Sequence, residues 1–347
     1  MPLRSASIQH LAVVLAVSVV AACGGDDKEG AGPADTPNDN PTPSDYTALP
    51  EPVTAFAARV LDDHLYVHGG HIGEAHDTSV ESLIPNLRRL DLSKPDAAWE
   101  EVAGPDVPVQ QSTLFTYEGK LYRLGGMTSR SHRGEALDLL TLDEFAVYDA
   151  AADAWTALPP MPESRSSHDV ELVGSTLHVT GGWKIDGGAE TETYHETFLS
   201  IDLAADELAW EVHPQPFKVR DHCGGVVDGK VYVLGGMLSG VFPEAARVYD
   251  PATETWSEGP ALPTQSPIGG FGCAAVSLND TIYFTAAEGV VYRLNDARDG
   301  WEQAATLKTP RIFHRLVDRN ANELIALGGG VGEAIEGTTS VESILLE

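Results

Sequence analysis

The chain has 347 residues, of which 42% are hydrophobic and 21% charged, a composition typical of proteins with a buried core. Its 22 Lys and Arg residues stand against 52 Asp and Glu residues, which gives a formal net charge of −30. Because contact with nucleic-acid phosphates needs clustered cations, this charge argues against a nucleic-acid partner. The acidic excess instead indicates a soluble, charged surface.

The first 23 residues have the layout of a secretory signal: Arg4 supplies a basic region, an apolar run covers 11–20, and small residues follow. The apolar run is short for a membrane-spanning helix. The sequence Val20-Ala21-Ala22-Cys23-Gly24 resembles the bacterial lipobox, in which the cysteine becomes the lipidated first residue of the mature protein. This resemblance implies export and anchoring to the bacterial cell envelope through acyl chains on Cys23. The same resemblance, with Gly24 after the cysteine, favours the outer membrane.

Residues 24–45 follow as a segment rich in Gly, Pro, Asp and Asn, without large apolar side chains. Such a segment cannot bury enough apolar surface to fold, and its prolines keep it partly extended. The sequence therefore predicts a disordered tether between the anchor and a folded body.

A repeat runs through residues 46–347, and its clearest copy is VYVLGGM at 231–237 followed by ARVYDPATETWSEGPALP at 246–263. A typical copy has an apolar strand ending in Gly-Gly and a later short strand that opens with Trp, and in the fifth copy Ala286/Ala287 take the place of Gly-Gly. The Gly-Gly pairs and the Trp residues keep step along the chain: Gly69/Gly70, Gly125/Gly126, Gly181/Gly182, Gly235/Gly236 and Gly328/Gly329, with Trp99, Trp155, Trp210, Trp256 and Trp301. This pattern resembles the Kelch repeat, which implies an all-β, six-bladed β-propeller with four strands per blade.

The last copy ends in VESILLE at 341–347 without a Trp strand after it. Near the other end of the repeat region, Tyr46-Thr47-Ala48-Leu49-Pro50 nearly copies the closing segment Trp155-Thr156-Ala157-Leu158-Pro159. We therefore expect the N-terminal segment to supply the outer strand of the sixth blade, an arrangement that closes the ring without a free edge.

In propellers the innermost strands line a central channel, and ligands usually bind at one of its mouths. Aligning the repeats gives one equivalent inner-strand position in each blade: Phe56, Ser112, His168, His222, Cys273 and His314. Three arginines stand two or three residues before the histidines of this set: Arg165, Arg220 and Arg311. The arginines and histidines are candidates for an anion site at the channel mouth, since Arg suits carboxylate or phosphate. The alternative is that they make structural hydrogen bonds between blades.

Two further groups of residues bear on metal and redox chemistry. His68, His71, His76 and Asp77 form a cluster in the loop after the first Gly-Gly, but their spacing matches no established metal motif, so we expect neither a metal nor a cofactor. Cys223 and Cys273 lie on predicted inner strands of adjacent blades. They form either a disulfide or two buried thiols, and a one-residue difference in register favours a Cα separation beyond the bridging limit.

Three functional hypotheses follow. The first is a non-catalytic binding or protein-interaction module, whose contact face is the channel mouth with the loops at about 71–86, 127–144 and 183–196. The second rests on a resemblance in blade number and export to the bacterial sialic-acid mutarotase/epimerase family. It implies a small anionic or carbohydrate ligand, an Arg for its carboxylate and a channel His as acid or base. The third, a copper radical oxidase, would need a Tyr–Cys cross-link and two His ligands, which the sequence does not suggest.

Overall fold

The computed structural model describes residues 45–73, 78–94, 96–105 and 107–346, and Pro43–Glu347 form one compact unit of the chain. The predicted signal segment with Cys23 and the predicted tether apart from Asp45 lie outside the described residues. His76 and Asp77 also lie outside them. Within the described ranges, no helix is long and apolar enough to cross a membrane.

The regular secondary structure of the described residues is antiparallel strand, apart from two short 3-10 turns at Val80–Ser82 and Ala189–Thr191. The strands of the first three blades and their loops are, in chain order, β1 (Ala57–Leu61), β2 (His64–His68), β3 (Leu87–Asp91), β4 (Glu100–Val102), β5 (Thr113–Tyr117), β6 (Lys120–Leu124), β7 (Met127–Ser129), β8 (Leu139–Thr141), β9 (Phe145–Asp149), β10 (Ala154–Ala157), β11 (Ser166–Val173), β12 (Thr176–Lys184), β13 (Asp186–Gly187), β14 (Thr193–Tyr194), β15 (Thr197–Asp202) and β16 (Glu211–Pro214). The strands of the last three blades and their loops are β17 (Arg220–Val227), β18 (Lys230–Met237), β19 (Ala245–Asp250), β20 (Thr255–Ala261), β21 (Ala274–Leu278), β22 (Thr281–Thr285), β23 (Val290–Leu294), β24 (Trp301–Thr306), β25 (Arg315–Asn320), β26 (Glu323–Leu327), β27 (Gly330–Val331), β28 (Glu336–Gly337) and β29 (Val341–Leu345).

These strands form six blades. From the inner to the outer strand, the blades are β1–β4, β5-β6-β9-β10, β11-β12-β15-β16, β17–β20, β21–β24 and β25-β26-β29. Each inner strand contacts the inner strand of the next blade, and β25 of the sixth blade contacts β1 of the first. The inner strands therefore close a ring, and the predicted all-β, six-bladed propeller is confirmed.

The two innermost strands of a blade are joined by tight turns that the sequence encodes locally. In blade 4, Asp228 and Gly229 have φ of 52° and 70°, the left-handed geometry of a two-residue turn whose twist matches that of the flanking strands. The strands beside this turn are rich in Val and Tyr, which suit a pleated, half-buried surface. The turn and strand residues of this blade thus favour the backbone geometry that the blade requires.

The core is divided among the seams between blades. Within the described residues, one apolar cluster fills each seam, from Leu114 with Tyr148 between blades 1 and 2 to Phe56 with Val317 between blades 6 and 1. Because most of the apolar burial lies between neighbouring blades, each blade is stabilised mainly by the two beside it.

The Gly-Gly pairs bind neighbouring blades together near the axis. In the second blade, the Gly126 N–H donates to Arg165 O of the third blade at 2.9 Å, and in the third the Gly182 N–H donates to Val219 O at 2.8 Å. A Cβ on Gly125 would lie only 2.4 Å from the Arg165 carbonyl oxygen. Glycine is required here by close backbone approach and by its positive φ.

At the outer edge, indole groups repeat a contact between neighbouring blades. Trp155 Nε1–H donates to Ala103 O at 2.8 Å and Trp210 Nε1–H donates to Pro159 O at 2.9 Å, each just after the outer strand of the preceding blade. In the first blade, Trp99 Nε1–H donates to Thr47 O at 3.1 Å. The segment that contains Thr47 therefore takes the place of an outer strand in this contact.

The same segment lies against the sixth blade. The Leu49 N–H donates to Thr339 O at 2.8 Å, and the Tyr46 hydroxyl donates to Glu323 Oε1 at 2.8 Å. Residues 45–50 are not in a regular strand, so the prediction that they complete the sixth blade as its outer strand stays a prediction.

Candidate functional site

A ring of left-handed residues surrounds the axis at one mouth of the channel. Each ring residue stands one position before the equivalent inner-strand position of its blade, and the six have φ between 51° and 65°: Ala55, Gln111, Ser167, Asp221, Gly272 and Phe313. Backbone hydrogen bonds link several of them across the seams, including Gln111 N–H to Ala55 O at 2.6 Å and Phe313 N–H to Gly272 O at 2.7 Å. We call these six residues the axial ring; it places one residue of each blade around a narrow opening.

A cavity of about 300 Å³ lies on the outer side of the axial ring, and we call it the mouth cavity. Its lining combines ring residues with loop residues of several blades. They include Gln111, Asp221, Phe313, Trp183, Glu192, Arg220, Phe271, Met127, Leu137, Leu139 and Ile335. The lining is therefore mixed, with polar and apolar side chains facing one concave space, and such a space is a candidate small-ligand site.

Arg220 is the cation of the mouth cavity and is held from three sides. Its guanidinium lies 4.4 Å from the centre of the Trp183 ring, its Nε–H donates to the Tyr194 hydroxyl at 3.1 Å, and its Nη1 lies 3.2 Å from Asp221 Oδ2. Burial lowers the pKa of Arg220, but Asp221 and Tyr194 outweigh it and raise the pKa overall. Its side chain keeps 18% exposure, so this fixed guanidinium still faces the cavity.

Asp221 and Gln111 continue this polar network across the floor. The Gln111 amide donates to Asp221 Oδ1 at 3.1 Å, and burial raises the pKa of Asp221 despite the neighbouring Arg220. The Gln111 Oε1 atom is buried and has no hydrogen-bond partner among the described residues. An acceptor left open in this way is available to a ligand or a water molecule.

The other two predicted arginines do not line the mouth cavity. Arg165 is fully buried, and its guanidinium donates to Gly181 O at 2.7 Å, to Thr197 O at 2.8 Å and to Glu163 Oε2 at 2.6 Å. Burial lowers its pKa to about 10, and Glu163 opposes the shift. Its Nη donors are engaged with the loop and strands of its own blade, so its role is structural, although the hydrogen bonds do not run between blades as the structural interpretation expects.

Arg311 has the same role in blade 6. Its Nη2–H groups donate to Glu342 Oε2 at 2.9 Å and to Ser340 Oγ at 3.2 Å, and its Nη1–H donates to Gly328 O at 3.3 Å. Both Arg165 and Arg311 stand three residues before a histidine, whereas Arg220 stands two before His222. Because side chains alternate along a strand, this one-residue difference brings Arg220 to the mouth and the other two into the protein.

The three predicted histidines are wedges between blades. His168 packs against Gly125 and His222 against Gly181 of the preceding blades, and His314 is fully buried. Burial lowers the pKa of His222 and of His314 to about 3 and that of His168 well below its ordinary value. These imidazoles are therefore neutral at physiological pH and lie outside the mouth cavity. The structure does not bring the six predicted residues into one anion site.

Below the axial ring the channel continues as a polar interior. A cavity of about 30 Å³, room for about one water molecule, lies at the ring between the mouth cavity and an inner cavity of about 210 Å³. Arg315 lines both inner spaces, and Asp169 and Glu171 line the larger one. Burial raises the pKa of Asp169 to about 6 and that of Glu171 well above its ordinary value.

Cys223 and Cys273 are paired as a disulfide across the seam between blades 4 and 5, with Cα atoms 5.9 Å apart. The expectation from register, that their Cα separation exceeds the bridging limit, was wrong. Chain segment 264–272 approaches the axis before β21 and carries Cys273 beside β17. Cys273 stands at the inner-strand position that Phe56 occupies in blade 1 and His222 in blade 4.

The predicted histidine loop offers no metal site within the part of the chain that the structure describes. His68 is fully buried, and its Nδ1 lies 3.5 Å from the Ser112 hydroxyl, while burial lowers its pKa to about 3. No group of three or more His, Cys, Asp or Glu residues suited to a metal occurs in the described ranges.

The loops predicted to surround the mouth interlock on the side of blades 1 to 3. Strands β7, β8 and β13 form a small sheet that joins the loops of blades 2 and 3. Arg130 pairs with Asp138 at 2.5 Å and with Asp186 at 2.8 Å, and His132 Nδ1 lies 2.7 Å from Glu81 Oε1 of the first blade. We call this group of loops, residues 78–86, 127–144 and 183–196, the loop wall. It gives the mouth one raised side.

Several residues of the site were not singled out by sequence reasoning. The axial ring was missed, although its members stand next to the aligned inner-strand positions. Trp183, Phe271 and Phe313 were missed because nothing in their local sequence shows that they face one cavity. The adjacent residues Arg220 and Asp221 were the available signal, since opposite charges side by side before an apolar strand are unusual.

The fold and the site define a class: the protein is a six-bladed, Kelch-type β-propeller with a ligand-sized cavity at one mouth of its channel. Residues 219–263 match the Kelch motif. The solved structure of YjhT superposes with a TM-score of 0.67 over 86% of this chain and 96% of that chain, and at 16% sequence identity this likeness shows the fold alone.

Curated relatives carry the same repeat. Kelch-like protein terF of Aspergillus terreus is 25% identical over 270 residues, which are 73% of this chain and 55% of that protein. Kelch-like protein 35 of Mus musculus is 27% identical over 210 residues, 60% of this chain and 31% of that protein. The chain thus spans about a third to about half of the length of these relatives. The chain is similar to Kelch-like proteins and contains a match to the Kelch motif.

Proposed function

We propose that the protein is a non-catalytic binding module and that the mouth cavity is its recognition site. The observation that carries this proposal is Arg220, a partly exposed guanidinium held by Trp183, Tyr194 and Asp221 within a cavity of about 300 Å³. A polar group fixed before the ligand arrives loses little conformational entropy on binding.

The loop wall supports the same proposal. Its ion pairs join loops from three blades, so the raised side of the mouth is shaped in advance of any contact. Loops on a rigid frame are where recognition usually occurs in repeat scaffolds. A small molecule, or a short protein segment that inserts a side chain, would meet Arg220 at the base of this wall.

The experiment is a thermal-shift screen of the purified protein against small carboxylates, sugar acids, amino acids and envelope protein fractions. A ligand that binds only the native state raises stability by about 2.7 kcal/mol at a hundred times its dissociation constant. We expect the shift to vanish in Arg220→Ala and to persist in Arg293→Ala, whose arginine pairs with Glu302 on the outer face. Binding that survives in both variants would place recognition elsewhere and contradict the proposal.

The alternative of a sugar-acid mutarotase or epimerase has less support. The histidines nominated as its acid or base, His168, His222 and His314, are buried wedges with lowered pKa and do not line the mouth cavity. A general acid or base works best when its pKa lies near the operating pH. A copper radical oxidase has no support either, because the two cysteines outside the signal segment are paired with each other.

We also propose that the binding module is displayed at the bacterial cell envelope, anchored through Cys23. The support is the sequence Val20-Ala21-Ala22-Cys23 after an apolar run. Metabolic labelling with a fatty-acid analogue should mark the wild type and leave Cys23→Ala unlabelled. An unlabelled wild type in the membrane fraction would contradict the anchor.

A further inference from the structure

The floor of the mouth cavity has a polar half and an apolar half. Four axial-ring residues line the mouth cavity, and two of them, Gln111 of blade 2 and Asp221 of blade 4, have polar side chains. The other two, Ala55 of blade 1 and Phe313 of blade 6, carry no polar side-chain atom. A molecule seated on this floor therefore meets polar and apolar surfaces side by side.

The polar half carries charges of both signs. Arg220 supplies the positive charge, and the carboxylates of Asp221 and Glu192 line the same cavity and interact electrostatically with it. Gln111 Oε1 adds a buried acceptor without a partner among the described residues. A simple anion is attracted by Arg220 but repelled by the two carboxylates. A simple cation is attracted by the two carboxylates but repelled by Arg220. A ligand that carries both charges is complementary to this arrangement.

The apolar half has room for a hydrocarbon or aromatic group. The rings of Phe271 and Phe313 pack edge to face with their centres 5.1 Å apart, and Ile335 lies in the same lining. Leu137 and Met127 add apolar surface from the loop wall, on the side of blade 2. An apolar group placed among these side chains would leave water and be stabilised by burial.

From these two halves we infer that the mouth cavity binds a free α-amino acid with an apolar side chain. The ligand carboxylate pairs with Arg220, the ammonium group faces Asp221, Glu192 and Gln111 Oε1, and the side chain packs toward Phe271 and Phe313. This inference rests on the proposed function, because it takes the mouth cavity as the recognition site. The cavity volume of about 300 Å³ lies at the small end for ligand sites, which suits a ligand of this size.

Isothermal titration of the purified protein tests the inference with L-leucine and L-phenylalanine. Three further probes each lack one feature of leucine: 4-methylpentanoate lacks the ammonium group, 3-methylbutylamine lacks the carboxylate, and glycine lacks the side chain. We expect leucine or phenylalanine to bind and each incomplete probe to bind about tenfold more weakly or worse, a loss of about 1.4 kcal/mol.

Two variants test which residue binds the carboxylate of the ligand and which binds its ammonium group. Arg220→Gln should abolish leucine binding, whereas Glu192→Gln should weaken leucine while leaving 4-methylpentanoate unchanged or improved. Glu196→Gln is the matched control, because Glu196 pairs with Lys218 and does not line the cavity. Leucine affinity that is the same in Glu192→Gln as in the wild type would overturn the assignment of the ammonium group.

The outcomes separate the inference from the proposed function. If 4-methylpentanoate or a sugar acid binds as tightly as leucine and the binding is lost in Arg220→Gln, the amino-acid inference falls and the mouth remains the recognition site. If neither leucine nor phenylalanine binds, the inference falls as well. The proposed function is then decided by the broader screen with Arg220→Ala and Arg293→Ala.

Discussion

The imidazole of His222 packs so closely against Gly181 of the preceding blade that a Cβ on this glycine would lie 2.6 Å from His222 Cε1. The same relationship joins His168 to Gly125, and the ring of Phe56 packs in the same way on Gly328. The first glycine of these pairs therefore receives a ring from the next blade. The Gly-Gly signature and the inner-strand histidines are two parts of one contact between blades.

This contact predicts that Gly181→Ala is more destabilising than Gly240→Ala. Both glycines have positive φ, 59° and 81°, so both substitutions carry the left-handed strain of about 1–2 kcal/mol. A Cβ at Gly240 would have no neighbour within 4 Å, whereas one at Gly181 also meets Val219 O at 2.7 Å. We expect Gly181→Ala to cost about 2 kcal/mol more in urea unfolding. Equal losses would mean that blades 3 and 4 accommodate the added methyl group without a further loss of stability.

The buried Arg165 of blade 3, paired with the half-buried Glu163, predicts a large effect of Arg165→Met. The substitution removes the partner of Glu163 and the donors to Gly181 O and Thr197 O. A loss of about 2–4 kcal/mol in the free energy of unfolding is expected, mainly because the two carbonyl oxygens lose their donor. Arg247→Met removes an exposed pair with Glu258 and should cost less than about 1 kcal/mol. A similar small loss for Arg165→Met would show that its hydrogen bonds are replaced by water.

The disulfide predicts a redox-dependent stability. Cys223 and Cys273 enclose a chain separation of 50 residues, for which the loop-entropy relation gives about 4 kcal/mol. A reductant should lower the urea midpoint of the wild type and leave the double variant Cys223→Ala/Cys273→Ala unchanged. Thiol titration of the unfolded, unreduced protein should detect neither cysteine. Two reactive thiols and an unchanged midpoint would contradict the bridge.

The buried carboxyl of Asp169 predicts that Asp169→Asn stabilises the protein by an amount that depends on pH. Burial raises the pKa of this carboxyl to about 6 from an ordinary value of 3.8, so the folded protein keeps a proton that the unfolded chain releases. The stability linked to this proton is fully present below about pH 4 and is lost as the pH rises through 6. Asp169→Asn should therefore stabilise the protein by about 1–3 kcal/mol at pH 7.5 and by little at pH 4.

The variant and the wild type share the buried histidines, so the difference between their free energies of unfolding at each pH does not contain the contribution of those histidines. Their lowered pKa values act in the opposite sense, because stability falls as the pH drops from about 6.5 toward 3. Asp296→Asn, at an exposed position, is the matched control for the loss of one carboxylate. A constant difference between Asp169→Asn and the wild type from pH 4 to 7.5 would contradict the shift.

The histidines and arginines show how far local sequence reasoning reaches. The repeat alignment correctly placed His168, His222 and His314 at equivalent positions, and that equivalence is itself the reason they serve one structural task. Arg220 differs from Arg165 and Arg311 by a single position relative to the histidine. Only the alternation of side chains along a folded strand turns this small offset into a different location.

The sequence by itself determined the blades, because each repeat carries its own turn residues and apolar strands, and all but the fifth carry a Gly-Gly pair, and these act over a few residues. The repeat order also determined the number of blades, as the inner-strand contact of β25 with β1 bears out. Only the tertiary structure decided the mouth cavity and the pairing of Cys223 with Cys273. The cavity is assembled from blades far apart in the chain, and the disulfide depends on how one segment approaches the axis. Such distances are set by the packing of whole blades rather than by local sequence.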